Sequence, residues 1–467
     1  MTHHIFTITI VMSALFMLTN SHVHSTESGG FDCANVIHTY TTTIYPELPP
    51  SAMKRDMSKR SASSCVNFNF IFGSVISEPG NADWLQTIQL AGDIWSSVLQ
   101  NDITVDFAFE IGTLNGGTIA SASTGLSATV NNAGAILAAL NDNYPGTYPS
   151  TVLGMNSNFP TGFSYQQEVI FFTEANGKAL IDGFSLAADD TSIIFNSAFN
   201  FDVDLTDGLD NGKTNLLGVV LHEMGHALGY VSQVEKIDFE MNRNNPVTII
   251  MAVQDMFRVD ATSSGDTFEL ADREYTPGQT AFFYAPDGLT TSTFSTGTTQ
   301  GDGRQAPHWK DSLNIGIMDP TFAVGEISGI SEADLTGMRA FGYNVNMSSV
   351  KPFIVHLSAT SGTGGDVFTI LGFFFYGTVM CNFGQAGMTA AVKLPNHGEI
   401  RCTVPSSSYS TTTMTVIGNA ESDPVDFALT ADILTPPPTT LPPTTLPPTT
   451  LPPTTLPPTT LPPTTLP

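Results

Sequence analysis

Basic residues are scarce in this sequence, and so are charged residues of any kind. Lysine and arginine make up only 16 of the 467 residues, against 43 aspartates and glutamates, which leaves a formal net charge of −27. Binding to nucleic-acid phosphates depends on clustered lysine and arginine, so the composition excludes nucleic-acid binding as a main function. The 41% of hydrophobic residues indicates that most of the chain folds.

Cysteine is also rare, and its few positions are grouped. Cys33 and Cys65 lie near the start of the chain, and Cys381 and Cys402 lie near its end. In an exported protein this grouping predicts two local disulfides, Cys33–Cys65 and Cys381–Cys402. The long middle of the chain has no cysteine and must be stabilised without cross-links.

Long apolar runs are absent except at the start of the sequence. Residues 5–18 are mostly apolar, and small or polar residues follow up to Ser25. A membrane-spanning helix needs about 20 apolar residues. Residues 1–25 are therefore predicted to be a signal peptide, and the protein is predicted to be secreted to the extracellular space.

The last residues, 435–467, repeat Leu-Pro-Pro-Thr-Thr with a period of five. Such a tract favours polyproline II and cannot form a regular hydrogen-bond ladder, so it is predicted to be a disordered spacer. Since the sequence stops within a repeat, attachment to a cell surface or matrix through a longer C-terminal region is the alternative to simple secretion.

Between these ends, the apolar residues recur with the periods of strands and helices. Residues 66–72 and 103–111 alternate with period two, whereas residues 81–100 place their apolar side chains on one helical face. This order predicts a strand, a helix and a strand at the start of an α/β layer, within a domain over residues 66–349. Near its end, Ser331 and Asp334 form a helix-start signature.

An acidic loop precedes the segment that contains the candidate metal ligands. Its carboxylates do not match the twelve-residue EF-hand pattern, which has a glutamate at its last position. We expect a solvated loop and keep Ca²⁺ binding as an alternative. The loop contains Asp202, Asp204, Asp207 and Asp210.

A His-Glu-x-x-His motif follows an apolar stretch that is expected to form a buried helix. It consists of His222, Glu223 and His226, with Met224 and Gly225 between. Histidines four residues apart lie on one face of a helix, so both imidazoles can reach one metal ion, and Glu223 beside them can take a proton from bound water. Unpartnered polar side chains are costly on a buried helix, so the motif predicts a Zn²⁺ site.

A catalytic zinc site usually has three protein ligands, so a third ligand is needed. Gly229 fits the longer pattern His-Glu-x-x-His-x-x-Gly-x-x-His, but Ser232 occupies the position of the third histidine. His308 is the remaining histidine between residues 65 and 350, and we predict it as the third ligand. Three carboxylates that follow the helix are the alternative: Glu235, Asp238 and Glu240.

The displaced third histidine, the segment His308-Trp309 and a methionine in the turn from Gly316 to Pro320 together resemble the leishmanolysin-like group of metzincin zinc metalloproteases. The resemblance covers roughly residues 66–349. It implies an α+β zincin fold with these site residues: zinc ligands His222, His226 and His308, catalytic base Glu223, and Met-turn residue Met318. Leishmanolysins carry many disulfides in this region and this sequence has none, which indicates a leaner branch.

The function implied is that of a secreted zinc endopeptidase acting on protein or peptide substrates. Zinc held by three neutral imidazoles acidifies water, and Glu223 removes the proton and returns it to the leaving amine. The alternative is a cell-surface or matrix adhesion protein built on an inactive zincin scaffold. The sequence indicates neither a substrate preference nor an oligomeric state.

Residues 350–434 contain short strand-like runs at regular spacing, with glycine, proline and asparagine between them. This spacing predicts an all-β sandwich. The glycine-rich run at 361–365 and the segments around Cys381 and Cys402 resemble the IPT/TIG immunoglobulin-like domain, which implies a role in spacing or adhesion.

Residues 26–65 form a short segment before the predicted enzyme. A Cys33–Cys65 disulfide that holds this segment is our expectation. The alternative is a propeptide cleaved after Arg60, in which the Cys33 thiolate binds the zinc ion before activation.

Overall fold

A computed structural model describes residues 30–32, 43–45 and 65–429, apart from 116, 125, 130–139, 141–156, 182–183, 185–190, 264–267, 269 and 286–290. The predicted signal peptide, most of the segment 26–65 and the tail 435–467 therefore lie outside the described residues. The described chain is mixed α and β, with more strand than helix. This agrees with the α+β layout expected from the sequence.

Five α-helices occur within the described ranges. They are α1 (Ala82–Ser96), α2 (Glu174–Leu180), α3 (Leu216–Ala227), α4 (Val234–Asn242) and α5 (Glu332–Ala340). In the part of the chain described here, no helix combines the length and the apolar character needed to cross a membrane.

The strands before residue 350 are β1 (Gly30–Asp32), β2 (Thr43–Tyr45), β3 (Asn67–Phe72), β4 (Thr104–Gly112), β5 (Ala120–Thr124), β6 (Leu126–Thr129), β7 (Ser157–Asn158), β8 (Ser164–Thr173), β9 (Thr191–Asn196), β10 (Phe201–Asp202), β11 (Thr214–Asn215), β12 (Thr248–Ala252), β13 (Arg258–Asp260), β14 (Arg273–Glu274), β15 (Ala281–Tyr284), β16 (Thr291–Thr293) and β17 (Thr321–Ala323). Those after it are β18 (Phe353–Leu357), β19 (Ser361–Gly362), β20 (Val367–Phe373), β21 (Met380–Asn382), β22 (Met388–Ala390), β23 (Val392–Lys393), β24 (Glu399–Thr403), β25 (Thr411–Ile417) and β26 (Val425–Leu429).

The predicted strand, helix and strand are confirmed as β3, α1 and β4. The two strands belong to a four-stranded sheet with the order β3-β4-β9-β5, in which β3, β4 and β9 are parallel and β5 is antiparallel to β9. The strand β4 buries Val105, Phe107 and Phe109 on one face, as the period-two pattern requires. Helix α1 contacts both β3 and α3, and α3 also contacts β5 directly, so the sheet supports the helix that carries the His-Glu-x-x-His motif.

Residues 228–307 separate the motif from His308 and fold into ordered structure of their own. They contribute α4 and β12 to β16. Four of these strands join β7 in a five-stranded sheet with the order β16-β15-β13-β14-β7, and β12 joins a second sheet with the order β12-β8-β6-β2. The long insertion is thus a folded layer against the domain rather than an extended loop.

The C-terminal strands form two facing sheets, as predicted. Their orders are β18-β20-β24-β23 and β19-β26-β25-β21-β22, and both contribute to one apolar core that includes Ile370, Val416 and Phe427. The Cys381–Cys402 disulfide is confirmed and joins β21 of one sheet to β24 of the other.

The two cysteines near the start do not complete the other predicted pair within the described chain. Cys65 is exposed and has no disulfide partner among the described residues, and Cys33 lies outside the described residues. The Cys33–Cys65 disulfide and its alternative, a cysteine switch, both stay predictions.

Candidate metal centre

Helix α3 carries three polar side chains into the protein interior. The Asn215 side chain caps its start by accepting a hydrogen bond from the Gly218 amide at 3.1 Å, which satisfies a donor that the first helical turn leaves unpaired. Every residue of the helix is buried, including His222, Glu223 and His226. The helix ends at Ala227, and Gly229 lies two residues further on with φ +133°.

The structure brings His308 to the two helical histidines. The Nε2 atoms of the three rings lie 3.1–3.2 Å from one another, and all three side chains are buried. Nitrogens that bind one tetrahedral ion at 2.0–2.1 Å lie about 3.4 Å apart. The observed separations are close to this value, so the spacing of the three rings fits the binding of one metal ion.

Each ring is oriented by a hydrogen bond from its other nitrogen to a main-chain carbonyl. The Nδ1 atom of His222 donates to Ile317 O at 2.7 Å, and that of His226 donates to Tyr230 O at 2.6 Å. The third ring, His308, lies 3.2 Å from Gln305 O through Nδ1. A carbonyl can only accept, so the proton of each neutral ring is on Nδ1 and the lone pair is on Nε2.

This tautomer suits a cation at the centre of the cluster. Three Nε2 lone pairs face one another, and acceptors cannot satisfy acceptors. Burial lowers the pKa of His222 to about 3 and that of His226 to about 4, so these rings are neutral near pH 7 and cannot supply the missing proton. Neutral imidazoles with free Nε2 atoms are the form that binds zinc, and the residues therefore fit the expected ion.

Glu223 lies beside the histidines on the same helix. It is fully buried, and neither carboxylate oxygen has a well-formed hydrogen bond in the described structure. Burial raises the pKa of Glu223 to about 8, and the backbone N–H of Ala122 on β5 offsets a smaller part of this shift. A divalent cation held by the histidines would lower this pKa, because it favours the ionised carboxylate.

Met318 lies under the helix between the two motif histidines. Its side chain is buried, and its sulfur occupies the space into which a Cβ at Gly225 would project. Gly225 therefore permits close contact between the helix and the methionine turn. The turn also carries Ile317, whose carbonyl orients His222, so this contact and the histidine orientation depend on one segment.

A buried carboxylate, Asp334, organises the methionine turn. It accepts hydrogen bonds from the Ile317 amide at 2.9 Å, the Ser331 amide at 2.7 Å and the Trp309 indole at 2.7 Å. The same residue completes a capping box with Ser331 at the start of α5. The sequence indicated Asp334 only as a helix-start residue, and its position between His308 and the turn depends on long-range packing.

The carboxylates predicted as alternative third ligands serve a different purpose. Glu235 accepts hydrogen bonds from Thr298 Oγ1 at 2.5 Å and from the Ala306 amide at 3.0 Å. Two further amides, at residues 299 and 300, donate to Asp238. These side chains of α4 hold the segment that leads to His308. Glu240 instead accepts from Asn245 at 2.6 Å.

The acidic loop does not gather its carboxylates into a metal cluster. Asp202 accepts from the Asp210 amide at 2.6 Å, Asp204 accepts from the Thr206 amide at 2.9 Å, and Asp210 forms an ion pair with Lys213 at 2.6 Å. Within the described ranges, the three histidines are the one group of histidine, cysteine or acidic side chains close enough to hold a metal ion. Calcium binding at the loop stays a prediction without support from the geometry.

Comparisons with known proteins do not identify a family. No protein-family model and no curated protein matches the chain. Among solved structures, a gamma-CGTase from alkalophilic Bacillus clarkii is similar over 32% of this chain and 17% of its own length, with 17% sequence identity and a TM-score of 0.15. A likeness at that level carries no argument about fold or function, so the functional conclusion depends on the site itself.

Proposed function

We propose that this protein is a zinc-dependent endopeptidase of the zincin class, with His222, His226 and His308 as zinc ligands. The observation that carries the proposal is the meeting of three buried Nε2 atoms next to Glu223, a buried carboxylate without a well-formed hydrogen bond. A His-Glu-x-x-His helix with this arrangement is typical of metalloproteases, in which the glutamate is the general base.

Bound zinc supplies Lewis acidity, which polarises a peptide carbonyl and acidifies water. The residues of the chain do the rest. Three main-chain carbonyls hold the imidazole rings with their Nε2 atoms towards one point, so the ligands need little rearrangement. Glu223 takes a proton onto a carboxylate oxygen from the attacking water and delivers it to the leaving amine, as a general base and then a general acid.

The zincin fold is part of the proposal and is supported by three features. The motif helix α3 packs under a mixed sheet whose last strand, β5, is antiparallel to its neighbour. A buried methionine turn lies beneath the helix, and α5 follows this turn. Of these features, the motif helix and the buried methionine turn are those that the leishmanolysin-like resemblance implies for residues 66–349. Secretion and the action on proteins or peptides belong to the same proposal.

The rival proposal, an adhesion protein on an inactive scaffold, is disfavoured by Glu223. A buried carboxylate without a well-formed hydrogen bond costs about 1–3 kcal/mol or more. An inactive scaffold would gain stability by replacing it, whereas a protease requires it for proton transfer. The sandwich and the Pro/Thr-rich tail fit either role and do not distinguish the two.

The test compares wild type and Glu223→Gln in the cleavage of unfolded casein, with and without a chelator. We expect the variant to retain zinc, measured by elemental analysis, and to lose at least about 100-fold in kcat/KM, since general base catalysis contributes about 10²–10⁴-fold. Glu274→Gln is the matched control because it changes another buried glutamate, which accepts a hydrogen bond from the Thr276 amide rather than from the segment that leads to His308, and it should cleave casein. Cleavage that survives in Glu223→Gln would contradict the mechanism.

A separate measurement tests the ligand set. Zinc bound by His308→Ala should fall well below one ion per chain. A zinc content equal to that of wild type would contradict the assignment of His308 but would leave the role of Glu223 open to the casein assay.

A further inference from the structure

Three consecutive main-chain carbonyls around the third ligand each accept a hydrogen bond from outside the segment. Arg258 Nη1 donates to Ala306 O at 2.9 Å, and Gln254 Nε2 donates to Pro307 O at 2.9 Å. The Ser295 amide donates to His308 O, also at 2.9 Å. We call these donors and the segment 306–308 the histidine clamp.

The side-chain donors of the clamp come from the inserted layer and are fully enclosed. Gln254 and Arg258 are 0% and 1% exposed. Arg258 also donates to Ser295 O at 3.0 Å, and its guanidinium lies 4.8 Å from the centroid of the Phe294 ring. One arginine therefore links the segment that carries His308 to the neighbouring strand segment that binds the His308 carbonyl.

The bond from Gln254 is informative because the rest of its amide is unpaired. Its Oε1 atom is buried and has no hydrogen-bond partner in the described structure. A buried amide with one unsatisfied end is unfavourable for stability compared with an apolar side chain of the same shape. What the residue adds is its single donated bond to Pro307, next to the ligand.

We propose that Gln254 and Arg258 are positioning residues that preorganise His308 for zinc. This inference rests on the proposed zinc site. His222 and His226 are held at the correct spacing by one helix, whereas His308 lies 82 positions after His226 and has no such constraint. Fixing the segment before the ion binds removes part of the entropy cost of ordering it, so zinc binds more tightly.

The experiment measures zinc affinity by competition with a chromophoric chelator, in wild type, Gln254→Met, Arg258→Lys and His308→Ala. Methionine has nearly the shape of glutamine and lacks the donor, so Gln254→Met is expected to fold even if Arg258→Lys does not. We expect Gln254→Met to raise the Kd for zinc by about 10-fold and Arg258→Lys by about 10–100-fold, the range found when residues that orient metal ligands are replaced.

Asn196→Leu is the matched control for a loss of stability alone. Asn196 is also buried, and its amide donates to a main-chain carbonyl, Thr118 O, at 2.7 Å. It binds no residue of the segment 306–308. We expect this variant to be less stable to denaturant while its zinc Kd stays within about two-fold of wild type, because its effect does not reach the ligands.

Equal zinc affinity in wild type and Gln254→Met would overturn the clamp, as would an Asn196→Leu variant that loses as much affinity as Gln254→Met. Since the readout is zinc binding, a wild type that binds zinc without cleaving casein would contradict the proposed protease function and leave the clamp supported. A wild type that does not bind zinc would overturn both.

Discussion

The replacement Asp334→Asn tests whether one buried carboxylate holds the metal centre together. In the wild type, Oδ2 accepts from the amides of Ile317 and Ser331, while Oδ1 accepts from the Trp309 indole at 2.7 Å and lies 3.4 Å from the Met318 amide. Asparagine keeps the shape of aspartate, but one of its two terminal groups is an NH2 donor. In either rotamer, two N–H groups then face a donor.

The loss in the free energy of unfolding follows from the number of hydrogen-bond donors that lose their acceptor. Each buried donor without a partner costs about 1–3 kcal/mol, so two cost about 2–6 kcal/mol. The damage is not limited to stability. When the Ile317 amide loses its anchor, the Ile317 carbonyl that orients His222 is less well fixed, and zinc affinity should fall as well.

Urea denaturation of the metal-free protein measures the stability term, and chelator competition measures the zinc term. Asp366→Asn is the control, because the exposed Asp366 carboxylate accepts a similar bond from the Thr363 amide at 2.8 Å, and water can replace it at a cost below about 1 kcal/mol. An Asp334→Asn variant whose free energy of unfolding is within about 1 kcal/mol of wild type would refute the role of Asp334 in organising the methionine turn.

Three further predictions follow from contacts near the site. Gly225→Ala should lower the free energy of unfolding by about 1–3 kcal/mol, because the added methyl overlaps the Met318 sulfur and overpacking costs that amount; calorimetry of the metal-free protein measures it. Burial raises the pKa of Glu235 from 4.5 to about 7. Between pH 4.5 and about pH 7, the Glu235 carboxyl is therefore protonated in the folded protein and ionised in the unfolded chain. The free energy of unfolding falls as pH rises through this window, by at most about 3 kcal/mol. Urea titrations of Glu235→Gln at the two ends of the window should lack this part of the slope, and a slope equal to that of wild type would contradict the assignment. Tyr376→Phe removes a buried hydrogen bond from the sandwich to Ile330 O, 2.9 Å long, and should cost about 1–2 kcal/mol in the same assay; no change would show that this bond does not hold the sandwich to the segment before α5.

The local part of the site was accessible from the sequence because its geometry is set by helical periodicity. His222 and His226 share a face in any helix, and Glu223 must lie next to that face. His308 was accessible for a different reason: so few histidines occur in the domain that His308 was the one remaining candidate histidine for the third ligand. The alternative ligands, such as Glu235, could not be dismissed from the sequence, because a carboxylate that binds zinc and one that holds a loop have the same residue type.

The network around the ligands was not accessible, because it depends on contacts between distant segments. Asp334 carries a local signal as a capping residue, yet nothing in the sequence shows that Trp309 and the methionine turn converge on it. Gln254 and Arg258 lie in an insertion that had no predicted structure, and their partners are about 50 residues away, at separations of 53 and 48. Periodicity arguments describe neighbours along the chain and do not extend to such distances.

The orientation of the metal ligands depends on main-chain atoms rather than on side chains. The three histidines donate to the carbonyls of residues 317, 230 and 305, which any amino acid can supply. The sequence is therefore restricted at the residues that place those carbonyls. Asp334 places the methionine turn, and the histidine clamp places the segment before His308. Gly229, with its φ of +133°, permits the chain reversal that returns Tyr230 O to the helix. Substitutions at residues 317, 230 or 305 should change zinc affinity less than substitutions at Asp334 or Gln254, although the latter two touch neither the metal ion nor a ligand ring.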